Sequence, residues 1–328
     1  MSAEQPSSPL ESCTVSTCDI AFSYSSYLPT FEGNLLYALI FAVCLGIHLF
    51  HGFRTRTFGF TATFVAGLAL EIAGYTGRLL MHYNPFKQDN FLLYLVPLTI
   101  APAFLSAGVY LCLARIIVLY KSEGMDVSRL KPRTYTLIFV ACDFVSLLLQ
   151  AAGGAIASMA ETKKLEDMGI NIMIAGLAFQ VASMALFMGL AVEVGLKIRR
   201  AAKPVEEGVT CTALFKRFLI GKFLFADDQR ERLLTLMPLT ALTVSTVCIF
   251  IRCVFRVAEL SGGFNGELAN QEVSFMILEG AMIVIAALAL TVYHPRKSFQ
   301  GKWSAMNFKF WQRNKEEDGD TTEVITKS

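Results

Sequence analysis

Residues 57–80 read TFGFTATFVAGLALEIAGYTGRLL. A hydrocarbon core of about 30 Å is crossed by roughly 20 helical residues rising about 1.5 Å each, so this run is long and apolar enough to span a bilayer. Glu71, Tyr75 and Arg78 stand at i, i+4 and i+7, which puts all three on one helical face. A charge at the centre of a span costs about 2.5–3.5 kcal/mol on insertion scales. That face must therefore turn toward protein, a cavity or water, and the stretch predicts one helix of a membrane bundle with its polar side inward.

Six further stretches answer the same description: 33–53, 91–119, 134–158, 169–196, 233–257 and 272–293. The expected fold is an all-α, polytopic seven-transmembrane-helix bundle. A composition of 54% apolar and 17% charged residues excludes an ordinary soluble domain. The net charge of +2 gives no footprint for nucleic acid, which is not expected as a partner. The first 30 residues lack a basic segment joined to a short apolar core, so the first span is expected to direct insertion.

Lys and Arg are strongly one-sided. Two lie in the first loop, four in the third, nine between Lys197 and Arg232 and seven from Arg296 onward, against Lys87, Lys163 and Lys164 on the other side. The positive-inside rule then puts the amino terminus outside and the carboxyl terminus inside. The expected divisions are an extracellular leader over 1–32, the spanning domain over 33–296 with a basic cytosolic loop at 197–232, and a cytosolic tail over 297–328. The leader carries Cys13 and Cys18, which can close a small disulfide loop or stand as unrelated thiols. Leu214, Phe215, Phe218, Leu219, Phe223 and Phe225 alternate with Lys216, Arg217 and Lys222. They read either as an amphipathic helix on an anionic leaflet or as a loop packed under the bundle, and Trp303 to Trp311 is a weaker version.

Polar stripes recur in four spans. The fourth carries Asp143, Ser146 and Gln150; the sixth Arg252, Arg256 and Glu259; the seventh Glu279. At about 1.5 Å per residue, Asp143 falls near the midplane, and Gln150, Glu71, Arg78, Arg252, Arg256 and Glu279 fall between there and the outer surface. A substrate-binding or gating cavity in the outer half of the bundle is one reading. The other is a set of buried ion pairs that fixes helix register. Pro97 and Pro102 free backbone carbonyls in the third span and are expected to kink it. His48, His51 and His294 share an inner-leaflet height where a haem or metal can be held, although interface histidines are the default and no cofactor or metal is expected. Neither a Gly-x4-Gly-Lys-Ser/Thr loop nor a nucleophile elbow occurs, and an enzyme is disfavoured.

The sequence resembles the fungal RTA-like proteins, also called the lipid-translocating exporter family, over roughly residues 24–296. The resemblance rests on Tyr27-Leu-Pro-Thr with Asn34, on Glu71-Ile-Ala-Gly-Tyr-Thr-Gly-Arg78, and on Ala101-Pro102 with Tyr110 and Arg115. It continues through Asp143, Ser146, Gln150 and Gly153-Gly154, then Gln180, Arg252, Arg256, Glu259 and His294-Pro295. It implies a seven-span protein of the fungal plasma membrane that moves sphingoid long-chain bases, resists amphiphilic toxins such as aminosterols, or exports porphyrin and haem. The implied partners are membrane lipids and an amphiphilic small-molecule substrate; no particular oligomeric state is implied. A seven-span lipid sensor or regulator is the alternative, coupling the same outer site to partners through residues 197–232. For a cationic amphiphile, Glu71, Asp143, Glu259 or Glu279 would meet the amine, and Arg78, Arg252 and Arg256 would hold those carboxylates when the site is empty.

Overall fold

The structure, a computed structural model, describes residues 13, 17–20, 23, 27–55, 57–122, 131–160, 162–201, 227–262 and 271–292. The basic amphipathic stretch 214–225, His294 and the tail segment 303–311 lie outside the described residues. Seven helices are long and apolar enough to cross a membrane, and the described residues contain no strand. They are α1 Phe31–Thr55, α2 Phe58–Tyr83, α3 Gln88–Ser122, α4 Pro132–Ser158, α5 Lys163–Ala201, α6 Asp227–Ser261 and α7 Glu272–Val292.

Each helix packs on the next in chain order, and α7 returns to α1, closing a ring. Helix α3 also touches α5 and α6 and so runs through the middle. Its sequence suits that place, because it is apolar all round rather than on one stripe. The other helices divide their surfaces. On α1, Leu36, Val43, Ile47 and Phe50 are exposed at helical spacing and face outward, while Phe41, Cys44 and His48 are buried against the bundle. Exposed Leu148 on α4 and Leu186 on α5 continue the apolar exterior, as a lipid-facing surface requires.

Three helices outrun the spans expected from hydropathy. Helix α5 has 39 residues, a length of about 58 Å at 1.5 Å per residue, and its carboxyl-terminal part carries an i,i+4 pair between Glu193 and Lys197. The seventh span departs from uniform α-helix: residues Met276–Ala281 form a π-helical turn. Nothing in MILEGA announces this, and such turns concentrate at functional sites.

Two contacts have no room for a side chain. At Gly77 a Cβ would lie 2.5 Å from the Tyr94 backbone nitrogen, so α2 rests directly on the backbone of α3. At Gly153 a Cβ would lie 2.6 Å from both the Gly169 carbonyl oxygen and the Met173 nitrogen, which fixes the α4–α5 spacing. Gly153→Val is therefore expected to push α4 from α5 and to destabilise the fold by about 1–3 kcal/mol or more, seen as a lower melting temperature of the purified protein in detergent.

Candidate functional site

The polar residues singled out from the sequence are buried. Glu71 (1% exposed), Tyr75, Arg78, Asp143, Ser146, Gln150, Arg252, Arg256, Glu259 and Glu279 (1% exposed) all lie inside the bundle. They do not form one face. The stripe of α4 is divided between its two neighbours, and the stripe of α2 between two levels.

On α4, Asp143 turns to α3, where Ser106 Oγ donates to its Oδ2 at 2.7 Å. Ser146 and Gln150 turn to α5 instead. Ser146 Oγ donates to the Gly176 carbonyl at 2.8 Å, and Gln150 Nε2 donates to Ser146 Oγ at 2.7 Å and to Gln180 Oε1 at 3.1 Å. Together with the contact at Gly153, this network bolts α4 to α5.

Toward the end of the bundle where α2 finishes, Arg78 is the hub of a closed cluster. Its Nε donates to Asn34 Oδ1 at 2.9 Å and its Nη2 to Tyr27 Oη at 3.0 Å, with Glu272 Oε1 at 3.8 Å. Its guanidinium carbon stands 3.9 Å from the Phe275 ring centroid and 5.1 Å from that of Tyr94, within cation–π range. Thr30 donates to Glu272 through both its backbone nitrogen and its hydroxyl, and His82 Nδ1 meets the Pro29 carbonyl at 2.7 Å. Residues 27–30 are thus strapped over α1, α2 and α7. Burial pushes the Tyr27 phenol above its ordinary range, against the pull of the Arg78 guanidinium beside it.

Deeper, α6 meets α3 and α7. Arg252 Nη2 donates to Glu279 Oε1 at 2.9 Å. It also donates to the Leu98 carbonyl. Pro102 has no amide hydrogen, so the carbonyl four residues before it, that of Leu98, has no helical donor; the arginine of another helix supplies one. Helix α3 runs unbroken through Pro97 and Pro102. Arg256 Nη1 pairs with Glu259 Oε2 at 2.6 Å and stands 3.7 Å from Glu279 Oε2, while its Nη2 reaches Thr99 Oγ1 at 3.4 Å.

Glu71 is held differently. Arg252 and Glu279 act on it electrostatically, yet among the described residues it forms no ion pair, and its Oε1 has no hydrogen-bond partner. Tyr75, one turn along, has an unpartnered hydroxyl, and its ring lies 5.3 Å from Tyr37 and 5.7 Å from Phe41. Tyr37 Oη donates to the Met276 carbonyl at the start of the π turn. Where hydrophobic periodicity located the stripes, it did not locate Ser106, Glu272 or Tyr37. Only the i−4 carbonyl of Pro102 could have been counted off in advance.

Elsewhere, His48 Nε2 lies 2.9 Å from Thr291 Oγ1, joining α1 to α7. No three His, Cys, Asp or Glu side chains come together as metal ligands among the described residues. Cys13 and Cys18 are joined by a disulfide.

The family model described as RTA1 like protein matches residues 64–302. Among curated proteins, the sphingoid long-chain base transporter RSB1 of Saccharomyces cerevisiae is 34% identical over 290 residues, covering 85% of this chain and 75% of that one. Protoporphyrin uptake protein 1 of the same species is 25% identical over 229 residues, 70% of this chain and 66% of its own. Protein RTM1 is 26% identical over 226 residues, 69% and 64%. No solved structure matches.

Proposed function

This chain belongs to the RTA1-like protein family, and from that premise we propose that it moves amphiphilic lipids of the sphingoid long-chain base class across the fungal plasma membrane. The observation that carries the proposal is the 34% identity to a sphingoid long-chain base transporter over 85% of the chain. The site supports it chemically. A sphingoid base joins an ammonium group to an apolar tail, and the bundle offers the carboxyl groups of Glu71, Glu259 and Glu279 among buried aromatic rings.

The amino terminus lies outside and the carboxyl terminus inside, as the distribution of Lys and Arg favours. The leader covers 1–32, the spanning domain 33–296 and the cytosolic tail 297–328. The protein is a translocator without a resident cofactor, and it contributes to resistance against cationic amphiphiles.

The test is expression in a fungal strain sensitive to phytosphingosine. Wild type should restore growth and export labelled long-chain base, and Glu71→Gln at equal surface abundance should fall to the level of empty-vector cells. Growth rescued by wild type with no export of labelled base would overturn transport in favour of lipid sensing.

A further inference from the structure

Arg252 and Arg256 of α6 lie among three carboxyl groups: Glu259 on the same helix, Glu279 of α7, and Glu71 of α2, on which Arg252 and Glu279 act electrostatically. All five residues are at least nine-tenths buried. Glu259 and Glu279 each have a guanidinium nitrogen within 4 Å; among the described residues Glu71 has none, and its Oε1 accepts no hydrogen bond. An ionised carboxylate with no hydrogen bond to that oxygen and no ion pair is expensive in such a place. The cluster therefore holds one negative charge too many unless a positive charge joins it at Glu71.

Among the described residues, the neighbours of Glu71 supply no such charge. Tyr75 on α2 and Tyr37 on α1 present hydroxyls and ring faces. On α3, Thr99 already meets Arg256 and the Leu98 carbonyl meets Arg252. Asp143 on α4, beyond Cys253 of α6, takes the hydrogen bond of Ser106. Arg78, one level out, is engaged by Asn34 and Tyr27.

We infer that Glu71 is an exchange site, occupied in turn by a proton and by the ammonium group of the substrate, so that the lipid moves in one direction against a proton in the other. This rests on the transport reading and names the coupling it leaves open. In the empty state Glu71 is a carboxylic acid and the cluster is neutral. When the substrate arrives, the O–H bond of Glu71 breaks, the proton leaves to water, and the carboxylate pairs with the incoming ammonium; the cluster is neutral again. No carbon bond forms or breaks and no electron moves. Tyr37 and Tyr75 supply ring faces for the cation, and their position against Gly280 places the exchange beside the π turn of α7.

The test uses the full chain reconstituted in vesicles and an N-trimethylated, radiolabelled sphingoid base. That probe is permanently charged, so it cannot cross as a free amine. Its inner-leaflet fraction is read as the part that external albumin cannot extract. With the vesicle interior more acidic by one pH unit, one-for-one exchange should enrich the probe inside by about tenfold over its outer pool. Protein-free vesicles should show no enrichment, and an imposed potassium diffusion potential should leave it unchanged. Glu71→Gln should keep the wild-type melting temperature, since the amide mimics the protonated acid, and should abolish the enrichment. A probe distribution that follows the diffusion potential and ignores the pH gradient overturns proton exchange while leaving transport standing. Full enrichment by Glu71→Gln overturns the assignment to Glu71. No protein-dependent movement of probe or of natural base overturns the transport reading and the exchange with it.

Discussion

Arg252→Ala is expected to give a protein that reaches the membrane poorly and, when purified, melts well below wild type, with a loss of about 3–5 kcal/mol. The size follows from what the guanidinium serves. Its removal strips Glu279 of a 2.9 Å partner at a position 1% exposed. It also leaves the Leu98 carbonyl with no donor, because Pro102 cannot provide the missing helical bond. The loss should be partly recovered in a double variant, Arg252→Met with Glu279→Gln, in which only the Leu98 carbonyl still lacks its donor. That change leaves no unpaired charge, and well-packed neutral replacements of buried ion pairs are often close to neutral in stability. Melting temperatures of wild type, Arg252→Met, Glu279→Gln and the double variant in one detergent form a double-mutant cycle, and strict additivity would show that the two side chains do not act as a unit.

Arg78→Ala is expected to be as damaging for a different reason. Arg78 is a large side chain only 2% exposed, enclosed by the rings of Phe275, Tyr94 and Tyr27. Truncation leaves a cavity and an orphaned, fully buried Asn34 amide oxygen, together costing about 3–5 kcal/mol. It also releases the anchor of residues 27–30. The measurement is proteolysis of the leader in intact vesicles, which should quicken in Arg78→Ala at temperatures where the spans are still folded. Arg78→Lys retains a cation for the rings but not the fork that bonds Asn34 and Tyr27 together, and should lie between the two. Equal cleavage rates in all three proteins would show that the strap is held by Glu272 and His82 alone.

Much of this architecture is written locally. The seven spans are legible because apolar run length maps directly onto bilayer thickness, and the stripes because helical periodicity puts residues four and seven apart on one face. What periodicity cannot give is the partner of each stripe. Asp143 and Ser146 are three residues apart, yet one meets α3 and the other α5. That division is set by how closely α4 approaches α5 at Gly153, a property of two helices together. The π turn was invisible for a related reason: its extra backbone offset is supported by Tyr37 of α1, far away in sequence. The contact between Arg252 and Leu98 was half legible, since Pro102 names the deprived carbonyl but not the residue that serves it. Among the residues that carry the resemblance, Tyr27, Asn34 and Arg78 turn out to be one physical object, the strap and its anchor.

That strap has a bearing on how a guest arrives. Pro29 is buried, and Tyr27 and Thr30 are bonded down onto α2 and α7, so residues 27–30 lie across the bundle beside Arg78. A guest travelling along the bundle axis past Arg78 would have to displace those bonds, whereas the sides of the bundle present apolar outer surfaces. A molecule that already lives in the bilayer, with its tail among lipid chains and its head sliding in between helices, suits an approach from those sides. A water-borne solute does not. The selectivity of the protein begins with the direction from which its cargo comes.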